Sequence, residues 1–222
     1  VIDTTAPTAA ITYNSTSPYK NGDTVTITAT FNGPVADSPV PTIAIAGSGI
    51  ANVTSTNMTK TSTTVYTYSY AVPTGDGTGT VTVGTGQDAA GNVVTSTPTS
   101  GATFTVDNTA PTISAVTQVV TPSNDTTPSY VFTTGEAGTI TTNITEGFST
   151  SSSAATGSNQ TITFNTLGAG TYADKTITVT DAAGNASSLT LVTFVIDTAS
   201  PTAAITYNST SPYKNGDTVT IT

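Results

Sequence analysis

The sequence has no cysteine, no histidine and no tryptophan in 222 residues. Without cysteine there are no disulfides and no thiolate metal sites. Without histidine as well, the usual general base and the thiol nucleophile are both missing. A catalytic pair would have to be built from carboxylates, yet Glu136 and Glu146 are the only glutamates and most aspartates fall in turns or linkers. The sequence therefore predicts no enzyme. Basic residues are scarce too: four Lys plus Arg against 13 acids, a net charge of −9 and a pI near 4.1. Nothing here can neutralise a phosphate backbone, which excludes nucleic acid as a partner. No apolar run approaches the length of a membrane span, and no signal peptide opens the chain. A segment of a longer protein can lack its signal, so that last absence carries little weight.

Serine and threonine fill the space left by charge. They make up about 80 of the 222 residues, while charged residues are 8% against roughly 25% in an ordinary soluble domain. Apolar residues recur regularly among the threonines, so the composition is not that of a disordered chain. Threonine is β-branched and suits the outward face of a strand.

The chain also repeats itself. PTAAITYNSTSPYKNGDTVTIT occurs at Pro7 and again from Pro201 to Thr222. Upstream, VIDTTAPT at Val1 matches VIDTASPT at Val195, differing only at Thr5/Ala199 and Ala6/Ser200. From Asp3 to Asp197 the period is 197 − 3 = 194 residues. That is too long for a solenoid unit and suits whole domains. A weaker echo, VDNTAPT at Val106, divides the period, and DAAGN appears at Asp88 and at Asp181. Each unit thus opens with an Asp-x-x-x-Pro-Thr linker and carries one DAAGN near its end. The expected organisation is unit A with its linker over 1–107, unit B over 108–196, and over 197–222 a linker with the first two strands of a second unit A.

Alternation of period two runs throughout. TVTITATF places Val25, Ile27, Ala29 and Phe31 on one face; TIAIAG, VYTYSYAV, TVTVG and ATFTVD follow in unit A. ISAVTQVV, SYVFTTG, GTITTNI, QTITFN, KTITVTD and LTLVTFVI do the same in unit B. Turn signals such as NGD, TGDGTG, TPSND and LGAGT separate them. Six or seven short strands in 90–100 residues predict an all-β chain of tandem immunoglobulin-like β-sandwich domains joined end to end. The strand before DAAGN is read as F and the one after it as G.

Asp-x-x-x-Pro-Thr linkers, strand–DAAGN–strand hairpins and threonine-rich tandem units resemble the bacterial and archaeal Ig-like repeats of large cell-surface adhesins and extracellular fibres. The resemblance spans essentially the whole chain. It implies an extracellular, extended rod, often stiffened by calcium.

The sandwich topology gives the acids a role. The first strand starts at the pole that carries the B–C and F–G loops, so each linker aspartate should meet the F–G loop of the unit it opens. This groups Asp3 with Asp88, with Asn32 or Asp37 as third ligands, and Asp107 with Asp181 and Glu136 of TTGEAGT. Asp197 would serve the second unit A. Ca2+ takes six to eight oxygens, which three converging loops can supply. Turn chemistry alone also accounts for Asp before Gly or Asn. Asn92 and Asn185 are read as shaping their hairpins.

Eight Asn-x-Ser/Thr sequons, at Asn14, Asn52, Asn57, Asn124, Asn143, Asn159, Asn185 and Asn208, are glycan acceptors if the chain is secreted into a glycosylating compartment. About five would arise by chance in so hydroxyl-rich a sequence. The stripe of Tyr66, Tyr68 and Tyr70 could stack on sugar, but core packing is the stronger expectation. Lys20, Lys60 and Lys175 show no convincing Lys–acid–Asn arrangement for an isopeptide crosslink.

The function expected is a structural repeat of a cell-surface fibre, filament or adhesin stalk, with calcium restricting bending at the junctions. Its partners would be neighbouring repeats or head-to-tail copies, with donor-strand exchange available to the terminal hairpin. The alternatives are a carbohydrate- or cell-binding adhesion module and an accessory module of a secreted enzyme.

Overall fold

A computed structural model describes residues 2–222, and among them there are strands and turns but no helix. In unit A the alternating segments become β1 (Ala9–Tyr13), β2 (Thr24–Phe31), β3 (Thr42–Ala46), β4 (Val53–Asn57), β5 (Thr59–Lys60), β6 (Val65–Ala71), β7 (Gly77–Gly84) and β8 (Thr103–Val106). They pair antiparallel into two sheets, β1-β2-β6-β5 and β4-β3-β7-β8. This is the ABED and C′CFG order of an immunoglobulin-like sandwich. The period-two pattern explains it directly. Val25, Ile27, Ala29 and Phe31 of β2 are all buried, against Ile43, Ile45, Tyr66, Tyr70, Val81, Val83 and Phe104 from the neighbouring strands. Each large side chain so buried contributes about 1.5–3 kcal/mol, and the intervening threonines stay on the outer faces.

The first strand ties the two sheets together. Beyond its pairing with β2, the Ile11 N–H donates to Ser100 at 3.0 Å, and Tyr19 exchanges bonds with Thr105 and Asp107 at 3.0 and 2.8 Å. The segment around Tyr19 therefore runs parallel beside β8.

Unit B contains β9 (Ile113–Thr117), β10 (Ser129–Thr134), β11 (Gly138–Thr142), β12 (Ser153–Ala154), β13 (Asn159–Thr163), β14 (Gly170–Tyr172), β15 (Thr176–Thr180), β16 (Ala186–Thr190) and β17 (Phe194–Ile196). Its sheets are β13-β10-β9, β12-β11-β15-β16 and the short pair β14-β17. It has its own core, with Tyr130, Phe132, Ile162, Phe164, Ile177 and Phe194 among its members. The segment LTLVTFVI does not form the one strand that its alternation suggests. It breaks where Leu191 donates its N–H to Lys175 at 2.7 Å and Val192 turns to solvent, so β16 pairs with β15 while β17 pairs with β14. The last segment changes sheets.

The repeated segment 201–222 is exposed along its whole length and forms no regular strand. A single antiparallel bridge, Tyr207 to Ile221, joins its two arms. The two strands expected there are not formed; the arms make a bridged hairpin.

Candidate metal centre at the junction of the two units

Each sandwich has two poles. In unit A the turns after β1 (Lys20, Asn21), β3 (Gly49) and β6 (Asp76) share the pole from which β8 leads into the linker at Asp107. In unit B the linker, the β10–β11 turn with Glu136 and the β15–β16 turn Asp181–Asn185 share the opposite kind of pole. The chain path therefore presses three acid-bearing segments together. Asp107, Glu136 and Asp181 each offer a carboxylate oxygen, all within 4.8 Å of one another, and all three residues are half-buried.

Turn chemistry fixes two of these acids. Asp181 Oδ1 accepts the Asn185 N–H at 2.9 Å, and its Oδ2 accepts from Asn185 Nδ2 at 2.9 Å. Asn185 Nδ2 also donates to the Asp107 carbonyl at 2.9 Å, while Asp107 Oδ1 accepts the Thr109 N–H at 3.0 Å. These bonds leave lone pairs free on both carboxylates. Glu136 sits where its charge is unwelcome. Partial burial pushes its pKa above 4.5, and the negative charges of Asp107, Asp181 and Asp76 push it further. Carboxylate oxygens are hard donors and suit Ca2+ or Mg2+ rather than soft metals. The residues present fit a hard divalent cation, which would relieve the repulsion at Glu136.

Asp76 is the acid that the sequence did not offer as a site residue. It belongs to the preceding unit and enters from the TGDGTG turn. Its Oδ2 accepts from the Thr109 hydroxyl at 2.6 Å and its Oδ1 from the Asn108 N–H at 2.5 Å, which together hold its pKa below the usual aspartate value. Gly49 makes room for this turn: with φ of +74°, it lies so close that a Cβ would stand 1.9 Å from the Asp76 carbonyl oxygen. Any side chain there would displace the acid.

At the front of unit A the arrangement is weaker. Asp3, Asn32 and Asp88 line one hollow, but Asn32 Oδ1 is occupied by the Thr8 N–H at 2.9 Å. Asp88 repeats the Asp181 turn: its oxygens accept from Ala90, Asn92 N–H and Asn92 Nδ2, each at 2.9 Å. The Asn92 side chain leads the causes that lower its pKa. Asp37, expected as a third ligand, is elsewhere. It is ion-paired with Lys60, a cation on the adjacent β5 that draws it away from the hollow. Asp197 lies on the exposed linker, its Oδ1 accepting the Ala199 N–H at 2.9 Å.

Of the sequon asparagines, seven are exposed and Asn185 is half-buried. Asn185 is built into the junction through its side-chain amide, which argues against a glycan on that nitrogen. The tyrosine stripe is core: Tyr66 packs edge-on to Phe31 and Tyr70 edge-on to Phe104, and Tyr68 packs against the same core. Lys20 donates to the Gly184 carbonyl at 2.5 Å. Lys60 is ion-paired with Asp37 on the surface.

No family model and no curated protein matches the sequence. Among solved structures, Salmonella alpha-2-macroglobulin reacted with methylamine aligns over 97% of this chain and 18% of its own, at 12% identity and a TM-score of 0.37. The Bacteroides ovatus mixed-linkage glucan utilization locus protein SGBP-B, in complex with a mixed-linkage heptasaccharide, aligns over 90% of this chain and 49% of its own, at 18% identity and a TM-score of 0.24. This chain thus spans less than half the length of either, and neither alignment is close enough to carry a functional argument. Among the described residues, no helix is long and apolar enough to cross a membrane.

Proposed function

We propose that this chain is a structural repeat of an extracellular cell-surface fibre or adhesin stalk, and that calcium at the A–B junction restricts its bending. One observation carries the reading: the linker, the β10–β11 turn and the β15–β16 turn bring Asp107, Glu136 and Asp181 within 4.8 Å of one another where two sandwiches meet. One carboxylate oxygen from each of Asp107, Glu136 and Asp181 would supply part of a calcium shell, with carbonyls or water completing six to eight ligands. The ion would link the linker to two loops of unit B, and the Asp76 turn of unit A, bonded to Asn108 and Thr109, would follow the linker. Rigidity would then depend on external calcium. The aromatic stripe that could have bound sugar is spent on the core of unit A, which favours the spacer reading over a carbohydrate-binding one.

The test is thermal unfolding of the chain in calcium and in chelator, with small-angle scattering of both samples. Calcium should raise the midpoint and lengthen the particle. If neither quantity responds, the junction acids serve only as turn residues and the calcium reading fails.

A further inference from the structure

Two asparagine–glycine pairs lie inside unit A, Asn21–Gly22 and Asn32–Gly33, and a third, Asn215–Gly216, lies on the exposed segment 201–222. The dipeptide has a reactivity of its own. Its glycine nitrogen can attack the asparagine side-chain carbonyl carbon, because no Cβ shields it and glycine adopts backbone angles closed to other residues. In a folded chain the reaction needs two freedoms. The carboxamide must be able to swing, and the glycine nitrogen must not be held in a hydrogen bond.

The two pairs of unit A differ in the first of these. Asn32 is fastened to Thr8 twice: its N–H donates to the Thr8 carbonyl at 3.0 Å, and its Oδ1 accepts the Thr8 N–H at 2.9 Å. Asn21 is exposed, and among the described residues neither its carboxamide nor the Gly22 N–H has a hydrogen-bond partner. Gly22 has φ of +93°, and a Cβ built there would meet nothing within 4 Å. Nucleophile and electrophile are both open to solvent here, and no packed atom opposes the movement that brings them together.

The turn that carries this pair is also part of the A–B joint. The Asn21 N–H donates to Asn108 Oδ1 of the linker at 2.5 Å, and Lys20 Nζ donates to the Gly184 carbonyl of unit B at 2.5 Å. The turn is closed by the Asp23 N–H on the Lys20 carbonyl at 3.0 Å and by the Lys20 N–H on Asp23 Oδ2 at 3.0 Å. One short turn thus holds both the linker and unit B.

We infer that Asn21–Gly22 is a site of spontaneous deamidation, and that its conversion loosens the A–B joint. The Gly22 nitrogen bonds to Asn21 Cγ, the Cγ–Nδ2 bond breaks, and Nδ2 leaves as ammonia with the Gly22 proton. Water then opens the cyclic imide at either carbonyl, giving aspartate or isoaspartate. The net exchange is amide and water for acid and ammonia, so no oxidant, reductant or enzyme is needed. Isoaspartate routes the main chain through the side chain and adds one backbone atom inside the turn. The Lys20–Asp23 closure no longer fits, and the ties to Asn108 and Gly184 go with it. Either product also adds a negative charge to a joint that already gathers Asp76, Asp107, Glu136 and Asp181, where like charges repel.

The experiment uses the full chain with spin labels on β2 and β10, aged in warm neutral buffer with chelator throughout, so that no bound calcium affects the outcome. Mass spectrometry of its peptides gives the conversion at each asparagine, and the label distances report the joint. Asn21 should convert several-fold faster than Asn32, and the distance distribution should broaden in step with conversion at Asn21. Asn21→Gln, which closes the imide ring far more slowly, should keep the distribution of the fresh parent over the same period. Conversion at Asn215 is read on its own peptide, and Asn215→Gln should leave the broadening unchanged. Conversion at Asn21 no faster than at Asn32 overturns the inference. So does an unchanged distribution in chains converted at Asn21, or equal broadening in aged Asn21→Gln.

Discussion

Asn185 holds the linker to unit B through Asp107, donating to its main-chain carbonyl at 2.9 Å. The same amide donates to Asp181 Oδ2 at 2.9 Å, so one side chain fastens two of the three clustered acids. Asn92 repeats the contact at the front of unit A, reaching the Asp3 carbonyl at 3.2 Å and Asp88 Oδ2 at 2.9 Å. The asparagine that ends DAAGN is thus the clamp of both of these linkers.

Asn185→Ala removes both side-chain bonds and should lower the unfolding free energy of unit B by about 1.5–3 kcal/mol, the range for a hydrogen bond to a charged group. Asn185→Asp keeps the shape but adds a fourth carboxylate. It should destabilise more than the alanine variant in chelator and recover in calcium. Denaturant unfolding of both variants, with and without calcium, checks the pair. Equal behaviour of the two in chelator would mean that charge at this point is unimportant.

Glu136 makes a prediction with two opposite signs. Its folded pKa is raised above 4.5 by burial first and by Asp107, Asp181 and Asp76 next. A carboxylate with a raised pKa binds more protons folded than unfolded, so its contribution to stability falls as pH rises above 4.5 and the charged form accumulates. Without calcium, Glu136→Gln should therefore raise the melting temperature at pH 7 and flatten the loss of stability above pH 4.5. With calcium the order should reverse, because the variant lacks a ligand. Melting curves from pH 4 to 8 in chelator and in calcium decide it; a variant less stable than the parent in chelator would show that Glu136 is held by bonds rather than strained by repulsion.

Much of this was legible in the sequence. Period-two alternation located β2, β3, β6, β7 and most of unit B because one face of each strand must be apolar. The convergence of Asp107, Glu136 and Asp181 followed from topology, since linker, B–C loop and F–G loop share a pole. Asp76 was not legible from unit B alone, because it comes from the far pole of the preceding unit. The signal was available all the same: a turn after the E strand of one sandwich faces the linker of the next. Asp37 went to Lys60 because an ion pair depends on which cation lies across the strand, which the spacing of the B–C segment does not show. The break at Val192 was hidden by a pattern that stays apolar while the strand changes sheets.

The last prediction concerns Asn108, which stands where the other two linkers have threonine, Thr4 and Thr198. Its Nδ2 donates to the Pro73 and Gly75 carbonyls at 3.2 and 2.8 Å, and its Oδ1 accepts the Asn21 N–H at 2.5 Å. Asp76 takes its N–H at 2.5 Å, and Lys20 reaches across to Gly184. Threonine is too short to span these carbonyls, so Asn108→Thr should loosen the A–B joint while leaving both separate cores folded. Spin labels on β2 and β10 should report a broader distance distribution in the variant, with calcium narrowing it again if the acid cluster holds the ion. Lowering the pH should loosen the parent joint in the same way. Asp76 has a depressed pKa, so its bonds to Asn108 and Thr109 are at full strength above 3.8 and weaken as pH falls through the folded value. An unchanged distribution in Asn108→Thr without calcium would place the rigidity of the joint in contacts other than this linker, with the Lys20–Gly184 bond the next to remove.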